Sequence, residues 1–303
     1  MRSMVLAPGV LILFAYAPLL AGDEQIEVGF WREVGQRYQL SIENYRQSRS
    51  NVRLVPMRTP VEVEVLDFSP ELVRISWTFG EAVPVDESVE MSSVMRLQSG
   101  INNGLRFVFR MDGNTGQISV ENAEEYRAHL EKQRRLILDA LSANEEQRAR
   151  MEALLTQIAR PDAIASEMLG TFQLLYFFAG FELSTAAPAD LQVALATITE
   201  ETIPGTARAT LSELRDDGTA IVLYEAEADR EAAREFILRF MERLGVSMPE
   251  GQEMPEVQIT ETGTYHIAYE DGFVLRMEFE RFTRIHDREF RNRVIISTTP
   301  PAP

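Results

Sequence analysis

Three histidines are present, and none stands where a metal site or a catalytic dyad needs one. His129 lies beside Tyr126, and His286 sits in the charged stretch Arg284-Ile-His-Asp-Arg-Glu289. His266 alternates with Tyr265 and Ile267, so on a strand it faces away from both. A helical zinc pair needs histidines at i and i+4 around a glutamate, and that spacing does not occur. Each histidine therefore reads as an ordinary surface or half-buried side chain. The nucleophile motifs GxSxG and SxxK are missing, and Gly113-Asn-Thr-Gly116 reads as a hairpin turn rather than a phosphate cradle. With no cysteine, disulfides, thiolate metal sites and cysteine nucleophiles are excluded together.

Carboxylates are the only catalytic type left in quantity, 47 in all. A glycosidase works with two of them at a defined separation, which spacing along the chain does not pick out. Two acidic pairs do share a strand face, Glu62 with Glu64 and Glu278 with Glu280. Such oxygens can bind calcium. The simpler reading is the wet side of a sheet. No catalytic residue, metal or cofactor is assigned.

One stretch could bind rather than react: MLGTFQLLYFFAGF, Met168 to Phe181. It falls short of the ~20 residues that cross a bilayer. All-round apolar helices in soluble proteins are core, so a central helix buried against sheets is the first reading. The second is a helix lining or lidding an apolar cavity, with Phe172, Tyr176, Phe177, Phe178 and Phe181 meeting a lipid-like ligand.

These residues must be positioned by their surroundings. The chain opens with Arg2, an apolar span from Met4 to Ala21 and then Asp23-Glu-Gln25. That order predicts a signal peptide over 1–22, and an uncleaved anchor is its rival. No lipobox cysteine stands at the cleavage point, and removal of the leader leaves no stable transmembrane segment. The formal net charge of -17 repels nucleic acid and anionic lipid surfaces at long range. Lys132 is the only lysine, which reads as codon bias in a GC-rich bacterial genome. The expected location is the bacterial periplasm or exterior.

Period-two alternation covers Tyr38-Leu40-Ile42, Val61-Val63-Val65, Val73-Ile75-Trp77-Phe79 and Leu105-Phe107-Phe109-Met111, predicting antiparallel strands over 23–121. The period then changes. Asn122-Ala-Glu-Glu125 resembles a capping box ahead of Tyr126, Leu130, Ile137 and Leu141, and Ser142-Ala-Asn-Glu145 opens a second helix. Pro161 opens a third, so 122–184 is a helical segment. Strands return over 185–299, starting with Leu191-Val193-Leu195, and 300–303 reads as a disordered tail.

Val61 to Ala82 aligns with Ala207 to Ala228 without a gap, Ile75 falling against Ile221. Gly104 to Gly113 pairs likewise with Gly263 to Gly272. An internal duplication is expected, with an inserted helix from Asp229 to Gly245 where the first copy has a loop. The fold class that follows is α+β: two similar antiparallel sheet halves linked by a helical segment. In outline this layout resembles periplasmic carriers of lipids and lipoproteins, which implies an apolar cavity.

Export and the lack of catalytic motifs put a non-enzymatic envelope protein first, binding another protein or a polymer. A carrier or sensor of a hydrophobic ligand comes second, and a carboxylate-based hydrolase third.

Overall fold

A computed structural model describes residues 24–30, 32–48, 55–141, 145, 148–149, 152, 161–197, 201–243, 256–286 and 288–299. The expected signal peptide, Trp31, most of the helix opening at Ser142 and the tail lie outside these. Among the described residues no helix is long and apolar enough to cross a membrane.

In chain order the first elements are β1 (Gln25–Glu27), β2 (Arg37–Ser48), β3 (Met57–Phe68), β4 (Leu72–Phe79), β5 (Val83–Pro84), α1 (Ser93–Asn102), β6 (Arg106–Asp112), β7 (Ile118–Val120), α2 (Ala123–Leu141) and α3 (Pro161–Leu175). Then come β8 (Glu182–Ser184), β9 (Ala189–Ala196), β10 (Thr202–Leu214), β11 (Thr219–Ala228), α4 (Arg230–Arg243), β12 (Val257–Ala268), β13 (Phe273–Ile285) and β14 (Arg288–Thr299). The fold is α+β, with a twelve-stranded antiparallel sheet and a two-stranded one. Its described residues divide into an N-terminal unit (those within 32–43, 55–177 and 296–299) and a C-terminal unit (those within 24–30, 44–48 and 178–295).

In the N-terminal unit the strand order is β7-β6-β4-β3-β2, with β5 beside β3. Alternation decides what faces inward: Val61, Val63, Val65, Ile75, Trp77, Phe79, Phe107 and Phe109 are all buried. The helices cover that bulky face, α2 against β6 and α3 against β7.

The C-terminal unit runs β13-β12-β11-β10-β9, and the small sheet pairs β1 with β8. Of its ten inward positions on β10 and β11, six are small, Gly205, Ala207, Ala209, Ala220, Ala226 and Ala228, beside the larger Ile203, Leu211, Val222 and Tyr224. Two observations explain the choice. The helix α4 packs on β10 and β12 across this stripe, with Ala233 and Phe236 buried. The sheet also curls: Cα atoms of β9 and β11 come within 8 Å, against about 9.5 Å for two strand steps laid flat. A curling sheet crowds its concave side, and bulges at Leu211/Glu213 and His266/Ile267 sharpen the bend.

The two units follow one plan. Apart from the two-residue β5 that precedes α1 in the first, three successive strands, a helix and two further strands read β2-β3-β4-α1-β6-β7 in one and β9-β10-β11-α4-β12-β13 in the other. The loop expected in the first copy is therefore a helix, α1, whose start is capped by the Ser92 side chain accepting from the Met95 N–H at 3.2 Å.

The gapless alignment is also corrected. Bulges fall at Val65/Asp67 and Leu211/Glu213, which are matching positions. Beyond the turn, however, Val65 pairs with Ile75 while Leu211 pairs with Val222, so the second turn is one residue longer. Ile75 thus corresponds to Val222, and Trp77 to the inward Tyr224. One residue of slip exchanges the faces of a strand, so the gapless version set buried Trp77 against Leu223, which is 41% exposed. The pairing of Gly104 with Gly263 fails in the same way, matching buried Phe107 with the outward, half-buried His266.

The predicted turn at Met111 to Gly116 forms, with Asp112 Oδ1 accepting from the Asn114 and Thr115 N–H groups at 2.9 Å each. A Cβ on Gly113 would stand 1.8 Å from the Pro70 carbonyl oxygen. Gly113→Ala is expected to cost about 2–3 kcal/mol, read as a fall in melting temperature. An unchanged melt would contradict the close approach.

Candidate functional site

The helix predicted through Phe181 ends earlier, at Leu175. Three consecutive aromatics hold a helix poorly, and Gly180 at φ +77° turns the chain out of it. Burial all round is confined to the end of α3 and the turn after it. Phe172, Leu175, Tyr176, Phe177, Phe178 and Phe181 are buried, whereas Met168, Leu169 and Gln173 are half-buried.

Phe172, Tyr176 and Phe177 belong to the N-terminal unit. Phe172 stacks on Phe109 at 4.3 Å between centroids and tilts against Trp77 at 5.5 Å. Tyr176 lies 4.6 Å from Phe172, and its hydroxyl meets that of Tyr38 at 2.5 Å. Arg32, only 2% exposed, brings its guanidinium 5.9 Å from the Tyr176 ring centroid and hydrogen-bonds both tyrosine hydroxyls. Burial drives both hydroxyls to ionise later than usual, and the Arg32 charge offsets part of that.

Phe178 and Phe181 belong to the C-terminal unit. They meet edge to face at 5.5 Å, and Phe178 sets its edge on Tyr265 at 4.8 Å. The run is held from the other side by β1, whose continuation at Val28 donates to the Phe181 carbonyl and accepts from Gly180.

Beside these aromatics lies the polar centre of the concave face. Glu261 on β12 is 5% exposed and sits directly opposite Arg281 on β13. Arg281 donates through Nε and a terminal nitrogen to one oxygen of Glu261, and through its other terminal nitrogen to the Ala196 carbonyl at 2.7 Å. Ala196 ends β9, four strand steps from β13, about 19 Å on a flat sheet. One side chain spans that interval because the sheet curls. Tyr224 reaches the second oxygen of Glu261 at 3.5 Å. Tyr265, 1% exposed, lays its ring over Gly263, where a Cβ would stand 2.8 Å from its edge carbon. Burial, then the Glu261 charge, holds the Tyr224 and Tyr265 hydroxyls protonated far above the usual range.

The acidic pairs lie on the outer side and meet arginines. Arg37 reaches Glu64 at 2.8 Å and Glu62 at 3.8 Å, while Arg293 pairs with Glu278 and Arg291 with Glu280. Among the described residues no three metal-ligating side chains cluster. His266 faces outward as expected, His129 is half-buried on α2, and His286 occupies the β13–β14 turn at φ 59°.

The polar centre was passed over in the sequence, although a signal was there. Glu261 and Tyr265 fall on the inward phase of β12 with Gly263 between them, and a charge on an apolar phase marks a partnered interior group. No family model matches the chain, and neither does any curated protein.

Proposed function

We propose that the chain is a non-enzymatic binding protein of the bacterial envelope, exported to the periplasm or beyond, with a protein or polymer partner. The observation that supports this is the outer sheet face, built as rungs of arginine against carboxylate. Arg208 on β10 meets Asp190 on β9 at 2.9 Å, Arg215 in the β10–β11 turn reaches back to Glu213 at 2.7 Å, and Arg37 bridges two glutamates in the N-terminal unit. Exposed pairs of this kind add little stability. They do hold long charged side chains in fixed order, which is what a partner with a complementary charge pattern recognises.

The test is cross-linking capture from envelope extract, with the wild type and the Arg208→Glu/Arg215→Glu double variant as baits. A discrete partner held by the wild type and lost by the variant is expected. Repeated capture of nothing discrete, or identical capture by both baits, counts against the reading.

A second reading, a carrier or sensor of a hydrophobic ligand, is favoured by Phe178 packing on the ring of Tyr265, whose enclosed hydroxyl has no hydrogen-bond partner among the described residues. Native mass spectrometry of protein purified without detergent tests it. A co-purified apolar mass is expected, and a clean polypeptide mass removes it.

A further inference from the structure

We propose that the concave face of the C-terminal unit binds an apolar ligand by a neutral head group, a hydroxyl or a primary amide, held between Tyr265 and Glu261. The inference rests on the hydrophobic-ligand reading and adds the chemistry of the head.

Buried polar groups in folded proteins are almost always partnered, so an exception calls for an explanation. The Tyr265 hydroxyl is such an exception: it is enclosed, and no hydrogen-bond partner meets it among the described residues. Its ring fills the space over Gly263 that a side chain there would take. The ring lies toward Glu261, two positions further along the same inward face.

Glu261 uses its two oxygens unequally. One takes both Arg281 contacts, and the other has the Tyr224 contact at 3.5 Å, the outer limit of a hydrogen bond. One strand face thus presents an unused donor and an under-used acceptor. A group that accepts from Tyr265 and donates to Glu261 satisfies both, as a hydroxyl or a primary amide does. A carboxylate or phosphate would instead set its charge against Glu261 and bring no proton for it to accept. The walls nearby are apolar: Phe178 against Tyr265, and Phe279 stacked 6.4 Å from Tyr224. They suit a hydrocarbon body.

The experiment is a native mass spectrometry titration of detergent-free protein with oleyl alcohol, oleamide, oleic acid and 1-octadecene, on the wild type and Tyr265→Phe, alongside a ligand-free melt of each. The variant keeps the ring and removes only the oxygen. Expected are one-to-one adducts of alcohol and amide, binding of both the acid and the hydrocarbon about tenfold weaker, and a loss of about tenfold for the alcohol in Tyr265→Phe. The ligand-free variant should melt at or above the wild-type temperature. Equal binding of octadecene and oleyl alcohol would overturn the head-group site while leaving the hydrophobic reading standing. No adduct with any probe would remove both. A clear fall in the ligand-free melting temperature of Tyr265→Phe would show that the hydroxyl is satisfied within the protein, and would also overturn the site.

Discussion

Arg281→Ala is expected to lower the unfolding free energy by about 3–5 kcal/mol, the range for removing one partner of a buried ion pair. The argument starts from Glu261, a carboxylate with only 5% of its surface exposed, on the concave side of a curled sheet. Arg281 gives it two donors and ties the end of β9 to β13 through the Ala196 carbonyl. Truncation leaves the charge uncompensated and loosens the curl together. The control separates these effects. In Glu261→Met/Arg281→Met the buried charge is gone and apolar volume replaces it, so most of the loss should return. Urea denaturation followed by circular dichroism measures both. A loss under about 1 kcal/mol for Arg281→Ala would place the pair among ordinary surface salt bridges instead.

The second large effect is alkaline. Tyr38, Tyr176, Tyr224 and Tyr265 each have a folded pKa raised above the unfolded value, and burial is the first cause in every case. For a raised group the stabilisation is complete below the unfolded pKa of ~10 and is lost as pH climbs toward the folded value. Each tyrosine then removes up to ~1.4 kcal/mol per pH unit, or about 5 kcal/mol per unit for the four together. A protein stable by ~5–15 kcal/mol should therefore unfold abruptly between about pH 11 and 13. Tyrosinate absorbance from these four should rise in step with the loss of far-ultraviolet dichroism. Ionisation of all tyrosines near pH 10, with dichroism intact, would show that these hydroxyls are reached by water.

Much of the architecture is written in alternation, because a half-buried strand must place every second side chain in the core. Val61-Val63-Val65 and Leu191-Val193-Leu195 announce their inward faces, and Pro161 marks the start of α3. What escaped depends on packing between distant residues. The helix α1 has few apolar residues to set its period, and its Ser92 cap is a weak signal alone. The extra residue in the second repeat's turn is invisible until pairing is known, yet it exchanges the faces of β11. Asn122 was expected to cap α2 from within. Its side-chain oxygen instead accepts from the Val108 N–H at 2.8 Å and its amide donates to the Arg106 carbonyl at 3.0 Å, fastening the helix start to β6. Of the five aromatics chosen as ligand contacts, all are buried, but their division between two units could not be read from a run that looks like one helix.

Neither unit is a continuous piece of chain, and this bears on how each one closes. The N-terminal unit includes residues 296–299, among them Ile296, which is wholly enclosed. The hydrophobic interior built from β2 to α3 is thus sealed by residues that come after the whole of 178–295 in sequence. Contacts of such long sequence separation form late, because the entropy of closing the loop between them opposes pairing before it is rewarded.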